Sequence, residues 1–515
     1  MANVAVTCIK NGRSDSFGRP LVSGTYYPSV EIETAKALWN SGYVSVADAS
    51  VFDQDPLAGT SPLDDFNIAR ALSLSRQPEQ TSANLAAELA ALGAYVQLSP
   101  KAGLAGNYGY GVGPCPFRLP EGFVPMSGVS DPLSDGYGGY LTQDGSVMRW
   151  RPAEYRKWGT GTNGLALNSL AVLPATSMSI VEANNQGFML PREFYNAGVA
   201  QPGFFIDQYV CSKALYQGRW IAVSVKNAVF LSSNAANNPI SALDGSPSNT
   251  HAGFFAAAKT RGSAYFPAIR EMYANCAFSA LAHAQASQGT AACAWFDGAG
   301  TTNFPKGCNS VLNDINDGGV TYTASGYSNA GLTGSGTPFA KTTHNGQNCG
   351  ICDLAGPIWA FSPGITALSG NYYALKLSVD IASLTGGSTL ATDAFGATGI
   401  AANYDLIGPT FGAYLGGTSV YTYGSASQVF SEQMSGNAWR MTSLGIPLAT
   451  GVGGTNAYGQ DAFYDNRTDN MAVLSGGRFS AGTLTGVWGC GNHLNSTSDA
   501  GVGFRCARYL DAGSF

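Results

Sequence analysis

Cysteine and histidine are the residue types in this chain with the greatest capacity for metal binding or covalent chemistry. The sequence contains ten cysteines and four histidines. Cys349 and Cys352 are separated by two residues, a spacing typical of metal ligands and redox pairs, and His344 lies just upstream. No second close pair of cysteines or histidines follows, whereas a closed zinc site takes four ligands. We therefore predict buried thiols, or one or two disulfides formed outside a reducing compartment, with no metal and no cofactor.

Other patterns that would support catalysis are incomplete. The segment from Asp314 to Gly318 is similar to a calcium-binding loop, but it is one residue short and Ser325 occupies the position that requires a bidentate glutamate. His283 lies in an alanine-rich helical segment, which favours a buried, hydrogen-bonded histidine over a catalytic one. No G-x-S-x-G nucleophile elbow occurs in a strand–turn–helix context. The chain is therefore predicted not to be an enzyme and to have no catalytic residues.

The composition narrows the class of protein. Charged residues make up 12% of the 515 residues, whereas glycine occurs 66 times and tyrosine and phenylalanine 25 times each. This balance is typical of a loop-rich protein that contains β-structure. The net charge is −6 without a cluster of lysine or arginine, so we expect no nucleic-acid partner. No apolar run approaches the ~18 residues of a membrane span, and the first residues do not read as a signal peptide.

Periodicity divides the chain into three parts. Residues 1–97 are predicted to form a small α+β domain, with a strand at 4–6, helical spacing from Val30 to Trp39 and a second helix from Thr81. Residues 98–145 are a connector rich in glycine and aromatics, and residues 146–515 are a large second domain. In that domain we predict strands at 145–152, 209–225 and 372–379, and helices at 256–261 and 267–288.

The C-terminus carries the most informative pattern. It opens with Gly476-Gly477-Arg478-Phe479 and closes with Gly503-Phe504-Arg505-Cys506. Phe504 is expected to fill the core, and Arg505 to bind carbonyl groups or a carboxylate. The pattern resembles the closing segment of the C-type-lectin-like fold of formylglycine-generating enzymes. It resembles even more closely the variable proteins of diversity-generating retroelements and related phage tail proteins.

Two upstream segments extend this resemblance and two departures limit it. Residues 201–209 (QPGFFIDQY) and 344–356 (HNGQNCGICDLAG) are similar to family blocks and occur in the same order. Many relatives continue with Asn-x-Trp-Glu, whereas this chain has Pro357-Ile358-Trp359-Ala360, which removes two ligands of an implied calcium site. Cys490 has no second cysteine nearby in sequence, so the oxidase chemistry of the formylglycine-generating enzymes does not transfer.

The resemblance implies a fold and a function. The fold would be α+β, with an elaborated C-type-lectin-like domain over 146–515 and the small α+β domain before it. The chain would be a bacteriophage virion adhesin, a tail fibre or receptor-binding protein. The alternatives are a capsid decoration or head-fibre protein without a receptor role, and a tailspike-like glycan hydrolase with two carboxylates in one cleft. The implied ligand face consists of eight residues: Phe479, Ser480, Thr483, Thr485, Trp488, Asn492, His493 and Asn495.

The adhesin hypothesis also specifies partners and exposure. The ligand would be a host cell-surface protein or glycan, and residues 1–97 would contact other virion structural proteins. We expect a homo-oligomer, with the trimer as the favoured state. It would be made in the host cytoplasm, located in the virion and not inserted into a membrane. Trp488 and Phe479 are predicted to be exposed, because contact aromatics face the ligand, whereas Phe504 and Trp359 are predicted to be buried.

Overall fold

The computed structural model describes two compact units. One is formed mainly by residues 1–92 and the other by residues 93–115 and 119–514. The described residues are 102–287, 306–412, 418–423, 430–431, 433, 435–449 and 461–514, with the backbone of 3–8, 26–31 and 44–46.

The described part of the first unit is a three-stranded antiparallel sheet. Its strands are β1 (Asn3–Cys8), β2 (Tyr26–Glu31) and β3 (Val44–Val46), with β1 in the centre. The strand predicted at 4–6 is confirmed. Val30 lies in β2 and does not begin a helix. The helix predicted from Thr81 lies outside the described residues, and the attachment role of residues 1–97 stays a prediction.

Short strands and turns dominate the first half of the larger unit, in keeping with its glycine content. Its strands are β4 (Val124–Pro125), β5 (Gly139–Leu141), β6 (Val147–Pro152), β7 (Glu154–Trp158), β8 (Leu170–Pro174), β9 (Tyr195–Asn196), β10 (Val199–Ala200), β11 (Gly203–Asp207), β12 (Ser212–Tyr216) and β13 (Arg219–Val223). The strands predicted at 145–152 and within 209–225 are confirmed.

The second half adds further strands and most of the helices. Its strands are β14 (Phe266–Pro267), β15 (Cys308–Val311), β16 (Asn313–Asp314), β17 (Trp359–Phe361), β18 (Ile365–Leu368), β19 (Asn371–Leu375), β20 (Tyr404–Gly408), β21 (Thr418–Thr422), β22 (Ala462–Asn466), β23 (Met471–Gly476), β24 (Cys490–Leu494), β25 (Val502–Gly503) and β26 (Cys506–Arg508). The α-helices of the larger unit are α1 (Ile180–Asn185), α2 (Phe254–Lys259), α3 (Arg270–Ser287), α4 (Gly396–Asn403) and α5 (Gly436–Ser443). The predicted helices at 256–261 and 267–288 correspond to α2 and α3.

One sheet joins the beginning and the end of the larger unit. Its strand order is β14-β26-β11-β6-β5-β4. Phe205 on β11 pairs with Trp150 on β6 and with Arg508 on β26, so the last strand of the chain lies beside one of its early strands. The strands and helices of this unit confirm the predicted α+β class, and the pairing of β11 with β26 brings the two ends of the unit into one sheet. The sheet includes β4 and β5, which lie in the segment predicted to be a connector.

A second six-stranded sheet contains most of the closing segment. Its order is β21-β22-β24-β23-β17-β25. β23 and β24 are antiparallel, with Leu474 opposite Gly491, whereas β22 runs parallel to β24, with Tyr464 opposite Gly491. Because side chains alternate along a strand, Gly491 and His493 face one side of this sheet, and Asn492 faces the other.

Helix α3 is the centre of the core. It is buried at every position from Arg270 to Ala284, as expected for an alanine-rich helix without a polar face. Phe278 contacts three aromatic rings from distant parts of the chain: Trp158 at 6.1 Å, Phe430 at 5.2 Å and Trp488 at 5.2 Å between centroids. None of the helices in the described ranges has both the length and the apolar character that a membrane crossing requires.

Candidate functional site

Three aromatic side chains surround a glycine on the second sheet. A Cβ placed on Gly491 would lie 3.6 Å from the Trp359 ring and 3.8 Å from the Cβ of Tyr464. The His493 ring lies 6.3 Å from the Tyr464 ring and nearly perpendicular to it. All three side chains are half-buried. We call Trp359, Tyr464 and His493 around Gly491 the aromatic platform.

The histidine of the platform is held in its neutral form. Burial lowers the pKa of His493 below its ordinary value, since Asp499 opposes this effect only in part. The His251 ring lies 5.9 Å from that of His493, and burial, together with His493, lowers the pKa of His251 to about 3. At neutral pH the imidazole of His493 can therefore both donate and accept a hydrogen bond.

Polar side chains lie close in sequence to the platform strands and at the end of the closing segment. Asn466 and Asn495 are half-buried, Ser480 is exposed, and a half-exposed ion pair joins Arg478 Nη1 to Asp499 Oδ2 at 2.9 Å. Amides, hydroxyls and rings of this kind suit recognition of a ligand, since they combine adaptable hydrogen bonds with rigid apolar area.

The structure brings only part of the predicted ligand face to the surface. Ser480 is exposed, and His493 and Asn495 are half-buried, which agrees with a contact role. Thr483 lies in the short helix Gly482–Leu484, but its side chain is outside the described residues. Contact of these residues with a ligand stays a prediction.

The predicted exposure of Trp488 and Phe479 is wrong. Trp488 is 1% exposed and packs on Phe278 and Phe430, while Phe479 is 6% exposed and contacts Tyr327. The glycines that flank Trp488 allow a sharp backbone path but do not set the direction of the side chain. Hydrophobic burial does set it, because a large ring gains most from the interior.

Thr485 and Asn492 are also buried, and this removes them from the predicted face. The Thr485 hydroxyl donates to the Lys306 carbonyl at 3.0 Å, so it fastens the turn to a distant segment. Asn492 points to the side of the sheet opposite the platform, because it alternates with Gly491 and His493.

Buried charges lock the backbone behind the platform. The Arg270 guanidinium on α3 donates to Ser475 Oγ at 3.0 Å, to the Trp488 carbonyl at 2.8 Å and to the Gly489 carbonyl at 3.1 Å. Asp461 pairs with Lys306 at 2.7 Å and accepts the Trp488 amide at 2.9 Å. These bonds make the backbone behind the platform a rigid support for a binding surface.

Two glycines of the closing segment are required by this packing. Gly476 has φ +88°, and a Cβ there would collide with the Leu354 carbonyl. A Cβ on Gly486 would collide with the carboxylate of Asp461. Glycine at these two positions is therefore a requirement of the buried scaffold.

Sequence reasoning found the closing motif but missed two residues of the platform. Phe504 is buried, as predicted, and Arg505 donates to the carbonyls of Asp207 and Cys352. Trp359 was predicted to be buried but is half-exposed at the platform. Tyr464 was missed altogether, and its only sequence signal is the alternation of β22.

The candidate catalytic and metal-binding residues are in structural roles. Cys349 Sγ faces the Tyr110 hydroxyl at 3.4 Å, whereas Cys352 Sγ faces the Gln208 carbonyl at 3.3 Å. Burial raises the pKa of Cys490, which keeps this thiol protonated at neutral pH. The Asp314 carboxylate accepts the backbone amides of Asn316 and Asp317 in its own loop, and that of Gly307 before β15 at 2.7 Å.

His344 and His283, of which the second was predicted to be buried and hydrogen-bonded, both have hydrogen-bond partners. His344 accepts the Ile351 amide at 3.0 Å and contacts Arg151, while His283 contacts the Gly103 carbonyl at 2.7 Å. Within the described ranges, one group of side chains has the spacing of a metal site: Asp207, Cys211 and Cys506. Asp207 already pairs with Arg261 at 2.6 Å.

The chain is similar to a known protein in structure and not in sequence. No protein-family model and no curated protein matches the sequence. A solved structure similar to this chain is that of the Major Tropism Determinant U1 Variant, with a TM-score of 0.27 and 10% sequence identity. The match covers 71% of this chain and 63% of that chain, so it spans less than two thirds of the other protein. A sequence identity and a TM-score this low do not establish a shared family.

Proposed function

We propose that this chain is a virion adhesin of a bacteriophage, a binding protein that contacts a host-surface ligand through the aromatic platform. The observation that carries the proposal is the cluster of three half-exposed rings around Gly491 on a sheet whose support is locked by buried charges. The proposed ligand is a surface protein or glycan, and residues 1–97 would attach the chain to other virion proteins in a homo-oligomer.

The proposed face differs from the one inferred from sequence. Ser480, His493 and Asn495 are retained, and Trp359 and Tyr464 take the places of Trp488 and Phe479. A half-exposed aromatic side chain still has solvent-accessible surface that a partner can bury. Aromatic residues at the centre of an interface are the ones that most often dominate affinity.

The backbone of the exposed stretch supports this role. The backbone amide of Asn495 donates to the Asn470 carbonyl at 3.1 Å, and the Asn495 carbonyl accepts the Ala252 amide at 2.9 Å. The Thr497 carbonyl accepts the His251 amide at 3.0 Å. Because main-chain groups make these bonds, the side chains of Asn495 and Thr497 can change without loss of the backbone path, as a receptor-reading surface requires.

The test measures binding of the labelled full chain to a panel of intact bacterial strains by flow cytometry. On the strain that binds the wild type best, we expect Tyr464→Ala and Trp359→Ala to weaken binding about tenfold or more. Tyr373→Ala is the matched control, because Tyr373 is also a half-buried strand tyrosine but lies on β19 of another sheet. Thermal unfolding of each variant verifies that it is folded.

Equal binding by Tyr464→Ala and Tyr373→Ala would contradict the platform as the contact surface. Failure of the wild type to bind any strain would contradict the adhesin proposal and favour a decoration or head-fibre protein.

A further inference from the structure

A second concave site lies on the larger unit, outside the platform. It is a cleft of about 400 Å³ formed by residues 121–123, 142–144, 216, 217, 219, 221 and 260–265, with Arg508 and Asp511 from the chain end. It shares no residue with the platform, Ser480 or Asn495. Its volume falls in the ~300–1,000 Å³ range typical of small-molecule sites.

The floor of the cleft is built from fixed charges and rings. The Arg261 side chain is fully buried, with Nη1 2.6 Å from Asp207 and Nε 3.3 Å from Asp144. Its guanidinium lies 4.5 Å from the centre of the Tyr265 ring. Arg508 stacks between Phe123 at 5.3 Å and Tyr265 at 5.4 Å. Such a floor is pre-organised, so a ligand would lose little affinity to reordering of the site.

The rim, in contrast, offers accessible polar groups. Gln143, Gln217 and Arg219 are exposed, and Tyr216 is half-buried. Arg219 is steadied by Asp244 at 3.0 Å in an exposed ion pair. The rim therefore presents amide and guanidinium donors, amide acceptors and one aromatic ring around the opening.

The charges that line the cleft balance. Three arginines (Arg219, Arg261 and Arg508) face three carboxylates (Glu121, Asp144 and Asp511). A strongly charged ligand would be repelled by as many of these side chains as attract it. Hydroxyl groups, in contrast, both donate and accept hydrogen bonds, so they can bind the arginines as well as the carboxylates. Tyr216, the half-buried ring of the rim, adds an apolar face against which the carbon side of a sugar ring packs.

We propose that this cleft is a second ligand site of the protein and takes a neutral sugar unit of a glycan. Together with the platform it gives the chain two separate contact points, and linked weak sites of this kind bind through avidity.

The carboxylate on the floor of the cleft is unsuited to the general-acid step of sugar cleavage. A glycosidase needs a general acid with a raised pKa opposite a second carboxylate. Although burial opposes the effect, Arg261 and hydrogen bonds from Ser146 and Thr142 hold the pKa of Asp144 below its usual range. Asp144 is therefore ionised at neutral pH and unable to donate a proton.

The proposal is tested by saturation-transfer NMR of the full chain with five neutral sugars: glucose, galactose, mannose, rhamnose and N-acetylglucosamine. We expect transfer to at least one of them, and about tenfold weaker binding of that sugar by the double variant Gln143→Ala/Tyr216→Ala. Tyr373→Ala is again the control, and Tyr464→Ala tests the platform separately.

Three results would overturn the proposal. They are no transfer to any of the five sugars, unchanged binding by Gln143→Ala/Tyr216→Ala, and release of new reducing ends from a bacterial polysaccharide, which would make the cleft a hydrolase site. Loss of sugar binding in Tyr464→Ala alone would move the sugar to the platform. Since the cleft and platform variants are separate, failure of one proposal leaves the other measurable.

Discussion

Residues 485–492 are buried at every position, whereas residues 493–499, which follow directly, are half-buried or exposed at every position. Both stretches belong to the same closing segment, and the first is rich in glycine whereas the second is rich in small polar residues. In the first stretch, the side chains of Arg270 on α3 and of Asp461 form hydrogen bonds to the backbone at Trp488 and Gly489. In the second, main-chain groups of neighbouring loops hydrogen-bond the backbone of Asn495 and Thr497, whose side chains take no part in these bonds.

This difference shows where a binding surface can be placed on such a scaffold. A stretch whose own side chains fill the core cannot change them without a large loss of stability. A stretch whose backbone is held from outside can exchange side chains at little cost. The receptor face proposed here therefore lies on the second stretch and on the neighbouring strands β17 and β22.

The largest effect is expected from the arginine that grips the buried stretch. Arg270→Ala removes the buried guanidinium that donates to the carbonyls of Trp488, Gly489 and Leu444. We expect a loss of roughly 3–5 kcal/mol in the free energy of unfolding, measured by urea unfolding with tryptophan fluorescence. A loss below about 1 kcal/mol would show that the support is not locked in this way.

A smaller loss is expected from crowding of the same region. Gly486→Ala forces a methyl group against the Asp461 carboxylate, which is itself held by Lys306 and the Trp488 amide. We expect a loss of about 1–3 kcal/mol in the same unfolding experiment. Gly318→Ala is the control, since a Cβ there meets nothing within 4 Å. Equal stability of the two variants would contradict the close approach of Asp461.

The histidine pair beneath the exposed stretch predicts a pH dependence. The folded-state pKa of His251 is about 3, below the ordinary value of ~6.5, so protonation favours the unfolded state. The stabilising contribution is complete above about pH 6.5 and is lost as the pH falls toward 3, by about 1 kcal/mol per pH unit. Glutamine places a neutral amide, which does not titrate, at this buried position, where Ser233 Oγ lies 3.2 Å from His251 Nδ1.

The measurement compares unfolding free energies of wild type and His251→Gln between pH 7 and pH 4. The difference between the two proteins is expected to shrink or reverse as the pH falls, because only the wild type takes up a proton at this position on unfolding. A difference that stays constant over this range would show that His251 is not buried in its neutral form.

The smallest effect is expected in the exposed stretch itself. The ion pair of Arg478 and Asp499 is half-exposed and therefore screened by solvent. Arg478→Ala is expected to cost less than about 1 kcal/mol in unfolding free energy, and added salt is expected to reduce this cost. A loss as large as that of Arg270→Ala would remove the distinction between the two stretches.

The outline of the fold could be predicted from local pattern. The strand at 145–152, the two helices near 256 and 270 and the core position of Phe504 follow from periodicity, alanine content and the closing motif. The site was predicted less well, because exposure is not a local property. Trp488 and Trp359 are both tryptophans near glycine or proline, and nothing in their immediate sequence shows that the first packs on Phe278 while the second borders open space.

The sequence by itself determined the α+β class, the position of the closing segment and the glycines that its turns need, since these depend on residue type and short spacing. Only the tertiary structure decided which side of β24 faces the surface, because α3 and Arg270 cover one side of the second sheet. The tertiary structure also creates the cleft, because the residues that line it come from five chain segments up to 390 positions apart, from Glu121 to Asp511. Such sites arise from long-range packing, and no sequence window contains both sides of them.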